Sequence, residues 1–276
     1  MLALSRYELG HTALVASQLD QRFSYALYVP PTFRFDLEKQ GSYDLIIAVH
    51  PSERLVLQYR DGFSSIANEL DCFVFAPLFP LGILEQGESD NYKYLDYRGL
   101  RYDLLLLGMI AEVEKRYGVQ FRRRVIHGFS GGGQFVHRFA YLHPEKLIAA
   151  SVGAPGKVTL LDTSRDWWVG IRDAADRFGR PVNIDAVRKV SFHLVVGEED
   201  LDEDEIDVPR SSPLWMPGAD EMGRNRIDRI KTLHSNLLVN GVSVQLELVP
   251  GVSHQGTGEI LACAARFLST ALRGDS

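Results

Sequence analysis

The stretch Val125-Ile126-His127-Gly128-Phe129-Ser130-Gly131-Gly132-Gly133-Gln134 decides the fold. An apolar, strand-like run that ends at Ile126 leads into it, and a helical pattern over residues 134–143 follows it. Between the two lies the motif Gly-x-Ser-x-Gly. In a strand-turn-helix setting this motif holds a serine hydroxyl at the tip of a tight turn, above the first turn of a helix. Free N–H groups and the helix dipole favour a developing negative charge at that point.

Other interpretations of this glycine-rich stretch are possible. Gly128 and Gly133 have the spacing of a phosphate-binding P-loop, but Gln134 and Phe135 stand where that loop needs Lys and Ser or Thr. A dinucleotide-binding Gly-x-Gly-x-x-Gly loop would need glycine at position 130. A turn without any chemistry stays open, because the motif is short. The surrounding sequence must therefore decide between them.

Composition and charge exclude several classes of protein. The chain has 276 residues, of which 45% are hydrophobic and 24% are charged, as in ordinary globular domains. A net charge of −6 without a basic tract argues against a nucleic-acid partner. No apolar run approaches the roughly 18 residues of a membrane span, so no membrane partner is expected. Cys72 and Cys263 lie in apolar patterns and are expected to be buried thiols.

The N-terminal residues 1–20 do not have the pattern of a secretory signal. They carry Arg6, Glu8 and His11 among short apolar pieces, without a charged region followed by a continuous apolar one. A cytoplasmic location is the resulting expectation.

Strand-like and helical patterns alternate along the chain. The strand-like segments are residues 12–19, 23–29, 43–49, 72–76, 122–126, 147–153, 190–196 and 242–249. The helical segments are residues 55–70, 99–117, 134–143, 223–239 and 258–272, with a further helical piece within 163–187. The alternation predicts an α/β fold, with a mostly parallel central sheet and helices on both faces. The first two strands have no helix between them, which predicts an antiparallel start.

One domain over residues 1–276 is the economical interpretation, because neither an internal repeat nor a low-complexity linker interrupts the pattern. Three irregular stretches are expected to be insertions that cover one end of the sheet. They lie at about 81–98, 163–187 and 201–222.

A serine nucleophile needs a base to take its proton and an acid to orient that base. In an α/β sheet these groups come from loops at the carboxyl ends of strands. The other histidines after Ser130 lie within helical or strand patterns, namely His137, His143, His193 and His234. His254, in Pro250-Gly-Val-Ser-His254, directly follows a strand and is the predicted base. A surface loop histidine is the alternative.

The acid is expected after the preceding strand. Asp200 stands three residues after the strand-ending Gly197 and is the predicted acid. Nearby competitors are Glu198, Glu199, Asp202 and Asp204. The alternating carboxylates also suggest a calcium loop, but the glycine at position six and the glutamate at position twelve are missing. A solvated acidic loop is expected instead, with no metal and no cofactor.

The order serine, acid, histidine is that of α/β-hydrolases, and the sequence resembles this superfamily from about Phe23 to the last helix. It is most similar to the esterase D, feruloyl esterase and polyhydroxybutyrate depolymerase-like group. The resemblance is carried by Gly-Phe-Ser-Gly-Gly-Gly, His-Pro at 143–144, Val-Gly-Ala-Pro-Gly at 152–156, Gly-Glu-Glu-Asp and Pro-Gly-Val-Ser-His. It implies an α/β-hydrolase fold with a nucleophile elbow and a Ser130–Asp200–His254 triad.

The resemblance also implies an oxyanion hole made by two N–H donors. One is Gly131, the residue after the nucleophile. The other comes from the loop after the third strand, where the family usually has His-Gly-x and this chain has His50-Pro51-Ser52. Proline has no N–H, but the usual donor follows that position and maps to Ser52. His50 is expected to hold the loop.

Substrate-binding residues are expected in the insertions, where aromatic side chains would cover the site. The candidates are Tyr92, Trp167, Trp168 and Trp215. If they line the pocket, an aromatic or extended apolar acyl group fits, but ordinary packing is equally open. Arg54 and Arg60, near the oxyanion loop, could meet a carboxylate or be surface charges.

These features predict a serine hydrolase that cleaves a small-molecule carboxylic ester through an acyl-enzyme intermediate. A thioesterase, an amidase or peptidase, and an acyltransferase would use the same triad. A non-catalytic α/β-hydrolase that binds a small molecule is the alternative from another class, because the fold does not guarantee the function.

Overall fold

The computed structural model describes residues 4–34, 41–203 and 206–274. Its strands are β1 (Gly10–His11), β2 (Val15–Ala16), β3 (Ser24–Val29), β4 (Gly41–Val49), β5 (Phe73–Leu78), β6 (Asp96–Tyr97), β7 (Leu100–Arg101), β8 (Val119–Phe129), β9 (Ala149–Gly153), β10 (Ser191–Gly197) and β11 (Val244–Val249). Its α-helices are α1 (Val56–Gly62), α2 (Ser64–Leu70), α3 (Tyr102–Tyr117), α4 (Gly131–Leu142), α5 (Ala174–Phe178), α6 (Ile184–Val187), α7 (Arg226–Val239) and α8 (Glu259–Arg273). Short 3₁₀ turns cover Arg6–Glu8, Asn91–Tyr94 and Pro144–Lys146.

In the described part of the chain, nine strands form one mixed sheet in the order β1-β3-β5-β4-β8-β9-β10-β11, with β2 also paired to β3. The strands from β5 to β11 along this order are parallel. β3 is antiparallel to β1, β2 and β5. The predicted mostly parallel sheet with an antiparallel start is therefore confirmed. β6 and β7 form a separate hairpin.

Helices cover the sheet on both faces. α4 and α8 both pack on β8 and β9, while α3 packs on β8 and α7 packs on β10 and β11. Strand β4 shows why the sheet is buried, since Leu45 through Val49 form a continuous apolar run that is at most 1% exposed. Such a run is typical of a parallel strand that is covered on both sides.

Two helix predictions need correction. The helical pattern over residues 55–70 forms two helices, because the chain turns at Phe63, which is fully buried between α1 and α2. The piece within 163–187 forms only the short helices α5 and α6. Gly118 ends α3 in the left-handed conformation that favours glycine.

Both cysteines are buried free thiols, as predicted. None of the described helices has the length and apolar composition that crossing a bilayer requires.

The turn between β8 and α4 depends on glycines that allow close backbone contacts. A methyl group on Gly132 would lie 2.5 Å from the carbonyl oxygen of Val49 and 2.8 Å from that of His50. A methyl group on Gly133 would collide with the carbonyl oxygen of Gly153 in β9. The first turn of α4 therefore lies directly against the carboxyl ends of both neighbouring strands.

The Gly132→Ala variant tests this constraint. We expect it to lower the free energy of unfolding by about 1–3 kcal/mol, because either the helix or β4 must move to admit the methyl group. Urea unfolding followed by circular dichroism measures the change. The matched control is Gly156→Ala, since a methyl group there meets its nearest atoms at 3.5 and 3.8 Å. A loss in the control as large as that in Gly132→Ala would contradict this explanation.

Candidate active site

Ser130 occupies the turn between β8 and α4 in a strained conformation. Its φ of 52° and ψ of −113° are unusual for a residue with a side chain. The Ser130 N–H donates to the carbonyl oxygen of Gly153 at 2.8 Å, and the Ser130 carbonyl accepts from the N–H of Gln134 at 3.0 Å. These two hydrogen bonds hold the turn in place. The side chain of Ser130 lines a cavity.

Asp200 and His254 form a hydrogen-bonded pair. The distance between His254 Nδ1 and Asp200 Oδ2 is 2.6 Å, and the Asp200 carboxylate is buried. Since a carboxylate only accepts, Nδ1 carries the proton in this bond. In the neutral ring, Nε2 is then left as the proton acceptor.

The loops that carry Asp200 and His254 follow adjacent strands. β10 and β11 are parallel, with Gly197 opposite Val249 at their carboxyl ends. Beyond them, the N–H of Glu199 donates to the carbonyl oxygen of Val252 at 2.9 Å. A methyl group on Gly197 would collide with this same carbonyl. The strand-ending glycine thus lets the two loops approach each other.

Phe129 connects His254 to the turn that carries Ser130. Its ring centroid lies 4.8 Å from that of the His254 ring, and Phe129 directly precedes Ser130. Within the described residues, no hydrogen bond joins Ser130 Oγ to His254. In ligand-free sites such bonds are often long and tighten only when substrate binds.

Ser52 and Gly131 lie next to each other across the site. A methyl group on Gly131 would be 2.9 Å from Ser52 Oγ and 2.9 Å from Lys93 Cε. Gly131 is the first residue of α4, where backbone N–H groups have no partner within the helix. The two predicted oxyanion donors are therefore close in space, one in the loop after β4 and the other in the first turn of α4.

His50 holds the loop that carries Ser52. Its Nδ1 donates to the carbonyl oxygen of Pro51 at 2.7 Å, and its Nε2 accepts from the N–H of Phe79 at 3.0 Å. Burial lowers the pKa of His50 to about 3, so the ring is neutral. The prediction that His50 holds this loop is confirmed.

Arg54 also fixes this loop, whereas the sequence suggested either a carboxylate contact or a surface charge for it. Its guanidinium donates to the carbonyl oxygens of Ser52 at 2.5 Å, Phe79 at 3.1 Å and Ser89 at 3.0 Å. Arg60 is buried, with its guanidinium bound to Asp61 at 2.7 Å. Both arginines thus have partners within the protein.

The cavity beside Ser130 has a volume of about 450 Å³ and a wall of polar and apolar groups in similar proportion. Its charged lining residues are Asp90, Lys93, Lys157, Asp207 and Arg226. Ser52 and Gln134 also line it. Sequence reasoning missed the basic residues, because they come from three separate segments that only the tertiary fold brings together.

The predicted aromatic residues lie outside this lining. Trp167, Trp168 and Trp215 line a second cavity of about 870 Å³, which shares Ser89, Asp90 and Leu214 with the first. A substrate contact of the three tryptophans stays a prediction for this adjoining cavity.

Two of the tryptophans connect the insertions to one another. The indole N–H of Trp167 donates to the carbonyl oxygen of Tyr94 at 3.2 Å, and that of Trp168 donates to the carbonyl oxygen of Leu214 at 2.8 Å. Tyr92 is fully buried beneath Gly131, and its hydroxyl donates to the carbonyl oxygen of His50 at 3.1 Å. A substrate contact of Tyr92 stays a prediction as well.

The other acidic residues that were candidates for the partner of His254 do not have the buried environment of Asp200. The side chains of Glu198 and Glu199 are exposed, and Asp204 lies outside the described residues. Among the residues that the structure describes, no group of three or more His, Cys, Asp or Glu is arranged to hold a metal ion.

No family model matches the chain, and no curated protein matches it in sequence. Solved structures do match. The poly(3-hydroxybutyrate) depolymerase of Bordetella parapertussis superposes with a TM-score of 0.69 and 20% identity, over 95% of this chain and 89% of its own. Poly(aspartic acid) hydrolase-1 of Sphingomonas sp. KT-1 superposes with a TM-score of 0.68 and 20% identity, over 90% of this chain and 93% of its own. An S-formylglutathione hydrolase of Agrobacterium tumefaciens superposes with a TM-score of 0.60 and 14% identity, over 98% of this chain and 97% of its own.

The chain has the α/β-hydrolase fold. The resemblance predicted from the motifs is confirmed at this level. In this fold, Ser130 follows β8, Asp200 follows β10 and His254 follows β11. All three residues therefore lie at the carboxyl edge of the sheet. This is where open α/β sheets bind their ligands.

The buried His50 is expected to make the stability of this protein sensitive to acid. Its folded pKa of about 3 lies below the ordinary value of 6.5, so the unfolded chain binds more protons between these values. Its stabilising contribution is complete above pH 6.5 and is lost as the pH falls towards 3, by up to about 1.4 kcal/mol per pH unit. In His50→Gln, the free energy of unfolding should therefore fall less steeply with acidification.

Chemical unfolding at several pH values measures that slope. At neutral pH, His50→Gln should also be less stable by about 1–3 kcal/mol, because glutamine cannot reproduce both buried hydrogen bonds. The matched control is His234→Gln on α7, at a position that is not buried. An unchanged slope in His50→Gln would contradict a neutral buried ring.

Proposed function

We propose that this protein is a serine hydrolase that cleaves a carboxylic ester through an acyl-enzyme intermediate. Ser130 is the nucleophile, His254 the general base and acid, and Asp200 the residue that orients His254. The observation that carries this proposal is the 2.6 Å bond between His254 Nδ1 and the buried Asp200 carboxylate, at the same sheet edge as the strained Ser130. A hydroxyl needs such a pair to react at neutral pH.

In acylation, His254 Nε2 accepts the proton of Ser130 Oγ while that oxygen bonds to the ester carbonyl carbon. The tetrahedral intermediate then loses the alkoxide, which takes the proton from the imidazolium. An acyl-enzyme and a free alcohol result. Asp200 keeps Nδ1 protonated and stabilises the imidazolium without itself accepting the proton.

In deacylation, water takes the place of the alcohol. His254 removes a proton from water, and the hydroxide adds to the acyl carbon. Collapse of this second intermediate breaks the bond to Ser130 Oγ, which recovers its proton from His254. The products are a carboxylic acid and the original enzyme.

The negative oxygen of both intermediates would be bound by the N–H groups of Ser52 and Gly131. Their close approach supports this assignment, as does the position of Gly131 in the first turn of α4. His50 and Arg54 keep the Ser52 loop in place before substrate arrives. Donors that are already oriented need no reorganisation when charge develops.

The names of several structurally similar proteins also support hydrolysis, since they include a depolymerase, a ferulic acid esterase and an S-formylglutathione hydrolase. Ester cleavage is the proposed activity. Thioester or amide cleavage and acyl transfer use the same groups, so turnover of matched ester, thioester and amide substrates separates them.

Treatment with a fluorophosphonate tests the nucleophile. We expect intact-mass measurement to find one adduct on the wild-type protein and none on Ser130→Ala, because only an activated serine attacks the phosphorus. An adduct that persists on Ser130→Ala would contradict the assignment. Absence of an adduct from the wild type would favour a non-catalytic binding protein.

The Asp200→Asn variant tests the acid. We expect kcat/KM for a para-nitrophenyl ester to fall by about three to four orders of magnitude, because the amide favours the wrong histidine tautomer. The matched control is Glu199→Gln, which removes an exposed charge from the same loop and should leave the rate within about twofold. Equal rates for Asp200→Asn and the wild type would show that another group orients His254.

A further inference from the structure

Two buried side chains in the wall of the cavity beside Ser130 each have a polar atom without a hydrogen-bond partner in the part of the chain that the structure describes. These atoms are Oε1 of Gln134 and Nε of Arg226. Gln134 is 4% exposed and Arg226 is 6% exposed, so most of each side chain is shielded from bulk solvent. Buried polar atoms in proteins nearly always have a partner. A ligand in the cavity would supply a partner to each.

Gln134 reaches the cavity from the first turn of α4. Its N–H donates to the carbonyl oxygen of Ser130 at 3.0 Å, which places it one helical turn after the proposed nucleophile. A methyl group on Gly156 would lie 3.5 Å from Gln134 Nε2, so the amide lies beside the loop that follows β9. Oε1 is a carbonyl oxygen, which only accepts hydrogen bonds. It therefore needs an N–H or O–H group of the ligand.

Arg226 is the first residue of α7 and reaches the cavity from a different segment. Its Nη1 atom lies 3.6 Å from Asp200 Oδ1 and 3.5 Å from the carbonyl oxygen of Asp202. These contacts involve the end of the guanidinium and leave its Nε–H group unused. A guanidinium stays protonated in proteins and has no acceptor atom, so Nε is always a donor. It therefore needs an oxygen acceptor from the ligand.

A secondary amide can satisfy both atoms at once. It offers one N–H donor and one carbonyl acceptor, which point in opposite directions in the trans form. A hydroxyl also donates and accepts, but through a single oxygen, so it reaches both atoms only where they converge. Gln134 and Arg226 belong to different helices, α4 and α7. Their separate origins therefore favour an amide over a hydroxyl.

We propose that the cavity selects an ester that carries a secondary amide a few atoms from its scissile bond. The amide N–H donates to Gln134 Oε1, and the amide oxygen accepts from Arg226 Nε. This inference rests on the proposed function and specifies its substrate class. The amide is on the acyl or the alcohol side of the ester, depending on the direction in which the substrate enters.

The selectivity follows from the cost of leaving these two atoms without partners. Water can bond to both of them before a substrate binds. A substrate that displaces this water with CH₂ groups leaves a buried donor and a buried acceptor unpaired, whereas an amide replaces the lost hydrogen bonds. A site built to hydrogen-bond its substrate rejects an analogue without the bonding group more strongly than an apolar pocket does.

Two series of esters with chains of equal length test the proposal on the wild-type protein. The acyl series is ethyl N-acetylglycinate, ethyl 4-oxopentanoate and ethyl pentanoate, and the alcohol series is 2-acetamidoethyl, 4-oxopentyl and pentyl acetate. Each kcat/KM, measured by titration of the released acid, is divided by the rate constant of alkaline hydrolysis to remove differences in intrinsic reactivity. In one series we expect the amide ester to exceed the hydrocarbon ester by at least about tenfold, with the ketone between them. Ratios near one in both series would overturn the proposal.

Variants of the two residues separate their roles. Gln134→Met should remove the advantage of the amide over the ketone, because only the amide has an N–H for Oε1. Arg226→Lys keeps a positive charge near Asp200 and removes the Nε–H group, so the advantage of the ketone over the hydrocarbon should fall by at least about threefold. Gln58→Met, at an exposed position of α1, is the matched control for Gln134→Met. An amide advantage over the ketone that persists in Gln134→Met would overturn the role of Gln134. The wild-type ratios test the proposal even if a variant does not fold.

A binding experiment separates this inference from the proposed hydrolysis. If the wild type cleaves none of these esters and does not react with a fluorophosphonate, the proposed function fails, and calorimetry with Ser130→Ala then tests the site alone. Tighter binding of ethyl N-acetylglycinate than of ethyl pentanoate, or of 2-acetamidoethyl acetate than of pentyl acetate, would support the amide site. Equal binding within both pairs would overturn it. If Ser130 cleaves the esters without preference, only the substrate class is wrong.

Discussion

The close contact between the first turn of α4 and the ends of β4 and β9 is the constraint on which the rest of the site depends. Only residues without a side chain fit there, since Gly132 and Gly133 face the carbonyl oxygens of Val49 and Gly153. The contact forces Ser130 into its strained conformation and directs the helix N-terminus towards the Ser52 loop. Ser130, the proposed oxyanion donors and the cavity thus have their relative positions set by backbone packing.

Asp200 and His254 occupy their positions for a similar reason. Adjacent parallel strands end at the same edge, and Gly197 lets the two following loops bond to each other through Glu199 and Val252. The Asp200–His254 pair is then held by backbone as well as by its own hydrogen bond. This support matters because a histidine base works only when its tautomer and direction are fixed.

Much of this arrangement could be predicted from sequence, because it depends on local patterns. The glycines around Ser130, the continuous apolar run of β4, and the positions of Asp200 and His254 after strands are all visible along the chain. The contact between Asp200 and His254 is present in the structure. Their catalytic roles, like the extent of the single domain, stay predictions.

The cavity wall could not be predicted, because it depends on contacts between distant segments. Arg138 has no local feature that distinguishes it from an exposed residue of an amphipathic helix, yet it is fully buried and bonds to the backbone of two loops. The tryptophans are predicted substrate contacts because they are aromatic residues in irregular segments. The indole groups of Trp167 and Trp168 also bond one insertion to another, which no periodic pattern encodes.

These indole bonds have a consequence for how the site recognises its ligand. Trp167 joins the first insertion to the second, and Trp168 joins the second to the third. The three segments therefore form one continuous wall rather than separate flaps. A ligand that enters such a preshaped chamber orders few side chains, so little conformational entropy is lost on binding. Discrimination between ligands then depends on the shape and charge that the cavity has before a ligand binds.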